Sequence, residues 1–158
     1  MFRKMARANK AISREEIDRI LDQEKRGVLS VIGDDGYPYG MPLNHYYCPR
    51  ENRIYFHSGK TGHKIDAMTR NDKASYCVYD RGFRRDGEWA LNIRSVIAFG
   101  RLTIEKDHER AVEISRLLSY RFTSDEEYIS REIARSGGGV LVFYMDIEHI
   151  TGKLVNES

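Results

Sequence analysis

Residues 54–68 read IYFHSGKTGHKIDAM, and the way this stretch divides decides the fold around it. Ile54 and Phe56 alternate with Tyr55 and His57, the period of a strand. Ser58 to Gly62 interrupts that period, and Ile65 and Met68 then resume three apart, the spacing of a short helix over 63–70. A strand, a glycine-rich turn and a helix start make a place for an anion: backbone N–H groups can approach it closely, and the helix end adds unsatisfied donors and partial positive charge. Lys60, His63 and Lys64 supply charge from side chains. The triplet Gly59-Lys60-Thr61 ends like a nucleotide-triphosphate loop, but that motif needs a glycine five places before Gly59, where Ile54 stands inside the strand.

Upstream, Ser13 and Glu16 form a capping box for a helix whose Ile17, Ile20 and Leu21 recur at helical spacing until Gly27. GVLSVIG (27–33) then reads as a strand, Asp35-Gly36 as a hairpin turn, and YGMPLNHYY (39–47) as the partner strand. Pro42 has no N–H to donate, so its strand is expected at an edge or a bulge. Downstream, ASYCVYD (74–80) is a further strand and 90–105 a long one, with Gly100 as its bend or bulge. Asp107 is placed to cap a helix carrying Val112, Ile114, Leu117 and Leu118, and Ser124 with Glu127 reads as a second capping box. The three glycines at 137–139 stop that helix, VLVFYMDI (140–147) is a last full strand, and HITGKLV (149–155) a short extended tail. The plan is mainly β (α+β), a small six-stranded antiparallel barrel with peripheral helices.

At 158 residues the chain is expected to form one domain over 1–158. Its 26 basic and 24 acidic residues leave a net charge of +2, which argues against nucleic acid or an anionic membrane as a partner. The basic arm of Arg3, Lys4, Arg7 and Lys10 reads as a solvated tail or a subunit contact. No apolar run is long enough for a membrane span or a leader, and Cys48 and Cys77 make no Cys-x-x-Cys pair, so a cytoplasmic, reduced setting is expected.

His45 and His57 lack helical ligand spacing and a nearby carboxylate, so no metal is expected; His45 reads as a surface or half-buried strand residue. His57 ends its strand beside the loop and points toward any cavity the loop closes. Backbone at Pro42, Leu43 and Asn44 offers an edge for a flat heteroaromatic ring. No nucleophile elbow, paired helical carboxylates or dinucleotide fingerprint is present, so a bound cofactor that brings its own reactivity fits better than hydrolytic chemistry.

The ordered set GVLSVIGDDGYPYGMPLNHYY, IYFHSGKTGHKIDAM and IRSVIAFGRLTI resembles the flavin-binding split-barrel superfamily of pyridoxamine 5'-phosphate oxidase-like proteins, and within it the Nim-type nitroimidazole-resistance branch. The resemblance implies an FMN-binding homodimer with the flavin at the subunit interface. It implies that Met41, Pro42, Leu43 and Asn44 face the ring edge, that His57 and Ser58 meet ribityl or phosphate, and that Lys64 meets the phosphate. His63 stands where an arginine is usual, and Arg94 and Ser95 where related oxidases place an Arg-Gln pair near the ring. The substrate-reading carboxy-terminal Trp and Arg segment of the pyridoxal phosphate-forming oxidases has no counterpart in KLVNES. The implied activity is an FMN-dependent oxidoreductase of small electron-poor molecules, with His57 as catalytic proton donor. The alternative is a flavin, haem or small-ligand binding module without turnover of its own.

Overall fold

A computed structural model describes residues 1–136 and 140–158; the expected helix stop at glycines 137–139 lies outside the described residues. In chain order the elements are α1 (Arg14–Gln23), β1 (Arg26–Ile32), β2 (Pro38–Asn44), β3 (Tyr46–Cys48), β4 (Arg53–Gly59), α2 (His63–Arg70), β5 (Lys73–Tyr79), β6 (Asn92–Ile104), α3 (His108–Tyr120), α4 (Glu126–Ser136) and β7 (Val140–Asn156). The strands form one antiparallel sheet of seven in the order β2-β1-β5-β6-β7-β4-β3. The end strands β2 and β3 are consecutive in sequence, so the sheet curls until its two edges meet and β2 lies against β4.

The count differs from six because the strand expected over 39–47 breaks at His45. β2 pairs with β1 at one edge, and β3 pairs with β4 at the other. His45 is therefore a corner residue, fully buried, and the surface or half-buried reading is corrected. Its Nε2 lies 2.7 Å from the Leu21 carbonyl oxygen and its Nδ1 2.8 Å from the Tyr76 hydroxyl. The expected tail 149–155 is not separate either, because β7 runs unbroken through it and pairs with β6 as far as Asn156.

Local chemistry explains most boundaries. Ser13 and Glu16 form the reciprocal cap on α1. Asp35 and Gly36 both have positive φ, as a two-residue hairpin turn requires. Asp107 caps α3 through the N–H groups of Glu109 and Arg110. The cap of α4 is Asp125, whose carboxylate accepts from the Tyr128 N–H, rather than the expected Ser124: the helix starts one residue later than the Ser-x-x-Glu pattern suggested. The bulge between Phe99 and Gly100 bends β6, and a side chain at Gly100 would collide with the Asp146 carbonyl.

Inside the curl, Leu29, Ile54, Phe56, Val78, Val96 and Phe143 form the main core, closed at one end by Ile17, Ile20 and Leu21 of α1. A second, smaller core lies outside β4 and β7, where Tyr55 and Val142 meet Ile114 and Leu118 of α3. Among the described residues, no helix is long and apolar enough to cross a membrane.

Candidate functional site

The turn after β4 has the features of an anion cradle. Gly62 holds φ 117°, a left-handed backbone that favours glycine, and starts α2 with no side-chain cap. Asp125, Asp107 and Ser13 cap the other three α-helices, so among the described residues α2 is the helix that starts without a side-chain cap. A Cβ added at Gly59 or Gly62 would meet nothing within 4 Å, so the turn leaves room above the helix end. Lys64, the second residue of α2, is half-buried and makes no hydrogen bond or ion pair among the described residues. Burial holds its pKa below the usual 10.5, the mark of a cation short of a counter-charge.

His57 and Ser58 leave β4 in opposite directions. Ser58 shares the parity of Ile54 and Phe56, and its hydroxyl donates to the Gly59 carbonyl at 2.8 Å. His57 shares the parity of Tyr55 and faces α3 and α4, where it lines a cavity together with Lys60 of the turn. His57 is exposed in the single chain, though neighbouring atoms still crowd its ring. That crowding, and secondarily the charge of Lys64, hold its pKa below the usual 6.5.

β2 supplies a bare backbone edge. Gly33 N–H donates to the Tyr37 carbonyl and His45 N–H to the Lys25 carbonyl, bracketing the β1–β2 ladder. The register between them directs the N–H and C=O groups of Tyr39, Met41 and Leu43 toward β1, and those of Gly40, Pro42 and Asn44 outward. Pro42 thus sits where its missing N–H would have pointed away from the sheet, which is how a strand tolerates it. Leu43 differs from the expected outward set, since its carbonyl also accepts from the Tyr76 hydroxyl at 3.0 Å. Met41 is buried in the core and fixes the face of the strand.

Three expected site residues sit elsewhere. His63 stacks on Tyr39, with centroids 4.1 Å apart, and its Nε2 lies 3.4 Å from the Asp34 N–H and 3.7 Å from the Asp34 carboxylate. It ties α2 to the β1–β2 hairpin. Arg94 is held by Asp80, which accepts from its backbone N–H at 2.9 Å and its side chain at 3.4 Å, and its guanidinium lies over the Phe83 ring. Ser95 pairs with Lys153 on β7, whereas His57 pairs with Val142 on the same strand. From 142 to 153 is eleven residues, on the order of 30 Å of strand at the usual rise. One chain therefore gathers His57, Ser58, Lys64 and the β2 edge, and leaves Arg94 and Ser95 on β6, paired against the far end of β7.

The sequence pattern described as pyridoxamine 5'-phosphate oxidase matches residues 13–154. No curated protein matches the chain by sequence. Among solved structures, a candidate 5-nitroimidazole antibiotic resistance protein from Bacteroides thetaiotaomicron is similar, with 20% identity over 92% of this chain and 87% of that one and a TM-score of 0.76. A FAD-binding protein from Mesorhizobium loti matches at 22% identity over 92% and 97%, TM-score 0.66. A FAD and heme binding protein from Mycobacterium smegmatis matches at 16% over 94% and 74%, TM-score 0.66. Likeness at these identities establishes the shared split barrel.

Proposed function

We propose that this chain, which belongs to the pyridoxamine 5'-phosphate oxidase family, binds FMN and reduces small electron-poor molecules such as nitroheterocycles. The observation that carries the reading is the uncapped start of α2 beside a half-buried Lys64 with no counter-charge among the described residues. A phosphate monoester would satisfy both, taking backbone N–H groups on one side and an ammonium on the other. The names of two structural neighbours, which bind FAD, support a flavin, and a cradle for one terminal phosphate favours FMN.

A bound flavin supplies the redox chemistry, accepting two electrons from a donor and passing them to an acceptor. The chain's own part is to hold and to tune. The outward Asn44 N–H and the Pro42 and Gly40 carbonyls of β2 offer a row of hydrogen-bonding groups to the edge of a flat ring. Ser58 stands at the end of β4, directly before the turn. His57, largely neutral at neutral pH, holds a proton position beside the site and becomes an acid as the pH falls.

The site is shared between two copies of the chain in this reading. Arg94 and Ser95 reach the cradle only if a twofold partner lays its β6 end beside it. The outer sheet face leaves Val28, Phe99 and Tyr79 at 39%, 39% and 62% exposure, apolar surface that such a partner would cover. Purified protein incubated with FMN and passed through a desalting column should emerge yellow, as a dimer. Once reduced, it should pass electrons to a nitroimidazole faster than free FMN does. Colourless protein would defeat the reading; retained FMN with no acceleration would leave a binding module without turnover.

A further inference from the structure

Outside β4 and β7, Ile114 and Leu118 pack on Tyr55 at one end. Toward the 59–62 turn the helices stand off the sheet, and a cavity of about 270 Å³ opens between α3, α4 and the two strands. We propose that this cavity, which opens beside the flavin cradle and shares His57 with it, is a ligand site for a single-ring aromatic acid whose anionic group meets Lys60 and His57 and whose ring lies between α3 and α4. It is formed within one chain and does not rest on the flavin reading.

Size and lining select the ligand class. The volume falls just under the range that holds drug-sized molecules, which fits one ring and a substituent. The walls are apolar where a ring would lie, with Ala111 and Val112 of α3 facing Ile133 of α4 and Val142 of β7. Positions 111, 112, 115 and 119 share one helical face, and all four are small, so α3 leaves space where a Leu would have filled it.

Polar groups set the orientation. Lys60 makes no ion pair among the described residues, and His57 lies beside it, so the anionic end belongs at the turn. At the other end an anion is unwelcome. Ser115 and Ser119 donate their hydroxyl protons to the carbonyls of Ala111 and Ser115, each at 2.8 Å, and keep only lone pairs for the cavity. Glu132 is the lining carboxylate and also accepts, with Arg135 3.8 Å away, while His108 at the start of α3 adds an imidazole to the lining. A ring with a carboxylate at one end and a hydroxyl or amino donor opposite matches this polarity.

Isothermal titration of the full chain with 4-hydroxybenzoate and with its neutral isostere 4-hydroxybenzamide tests the assignment. The acid is expected to bind once per chain and at least tenfold more tightly than the amide. Lys60→Gln should erase that difference. Val112→Phe and Ser115→Leu, which fill the cavity, should each abolish binding without lowering the thermal midpoint; should either unfold, the Lys60→Gln comparison decides alone. Lys64→Ala should leave acid binding intact, so that failure of the flavin cradle and failure of this site read differently. No binding of the acid at millimolar concentration, equal binding of acid and amide, or undiminished binding in folded cavity-filled variants would each overturn the proposal.

Discussion

The Tyr76 hydroxyl lies 2.8 Å from His45 Nδ1 and 3.0 Å from the Leu43 carbonyl oxygen, so one buried phenol ties the sheet corner to the strand that carries the bare edge. The proton count follows from chemistry. Leu21 offers only a carbonyl to His45 Nε2, so that nitrogen carries the proton and Nδ1 accepts from the Tyr76 O–H. The single hydroxyl proton is then shared between Nδ1 and the Leu43 carbonyl. Through this set α1, the corner and β2 hold one another in place.

Removing the phenol oxygen should therefore be felt twice. Tyr76→Phe leaves His45 Nδ1 and the Leu43 carbonyl without their partner in a buried setting, at a cost of about 1–3 kcal/mol. Urea unfolding should show the loss, and an FMN titration should show several-fold weaker binding as β2 loosens. Unchanged stability together with unchanged affinity would mean the hydroxyl is a bystander.

His45 also predicts an acid limit to stability. Burial pushes its pKa from 6.5 down to about 4, so the folded state keeps the imidazole neutral where the unfolded chain protonates it. The unfolded state binds the extra proton between those values, and stability is lost as pH falls from 6.5 toward 4. The full window is worth about 3 kcal/mol at ~1.4 kcal/mol per unit. Carboxylates titrate in the same range, so the measurement is the difference between the parent chain and His45→Gln at pH 7, 5.5 and 4.5. Parallel profiles would contradict it.

Much of this architecture was legible in the sequence because it is local. The Ser13–Glu16 box, the Asp35-Gly36 turn, the edge placement of Pro42 and the Gly100 bulge each follow from the demands of one residue or of two close in sequence. The corner at His45 was not, because hydrophobic alternation runs straight through 39–47 and carries no sign that the strand changes edges. A histidine between two runs of apolar and aromatic residues was the signal available. The α3–α4 cavity was invisible for a related reason: small residues at 111, 112, 115 and 119 read as a weak apolar stripe until a sheet stands opposite them. Adjacency in sequence groups His63 with the loop, whereas its ring packs on Tyr39 across the hairpin.

Lys64 should discriminate flavins by their phosphate. Lys64→Ala is expected to weaken FMN about tenfold to a hundredfold, the scale of one charge-assisted contact, and to leave riboflavin affinity nearly unchanged. Lys60→Ala, which changes a cation facing the cavity, should leave both alone. Fluorescence quenching titrations compare the four cases directly. Equal losses for FMN and riboflavin would show that Lys64 acts on the ring or on folding and not on the phosphate.

Gly100→Ala tests the bend of β6. The added methyl runs into the Asp146 backbone carbonyl and comes within 2.8 Å of Met145 Cγ, and backbone cannot swing aside as a side-chain tip can. Overpacking of this kind costs about 1–3 kcal/mol, with the upper end expected here. Gly36→Ala is the contrast: its added Cβ meets nothing, so its cost comes only from the positive φ of 77°. Thermal melts should rank Gly100→Ala clearly below Gly36→Ala.

If His57 supplies the proton in reduction, the rate should carry its titration. The imidazole is crowded by neighbouring atoms and feels the charge of Lys64, both of which disfavour the protonated form and set its pKa under 6.5. An acid that must be protonated to act is then mostly spent at pH 7, and the rate of acceptor reduction should rise as pH falls toward that pKa and level off below it. His57→Gln keeps much of the volume but cannot titrate, so it should flatten the profile and lower the low-pH rate by about a hundredfold, the lower end for general acid catalysis. FMN affinity should change little, because the phosphate contacts are Lys64 and the α2 amides. Single-turnover reduction of a nitroimidazole by pre-reduced enzyme, followed across pH 5 to 8, isolates this step from cofactor loading. A His57→Gln profile that keeps the parent's slope would transfer the proton to another donor and leave His57 as a lining residue alone.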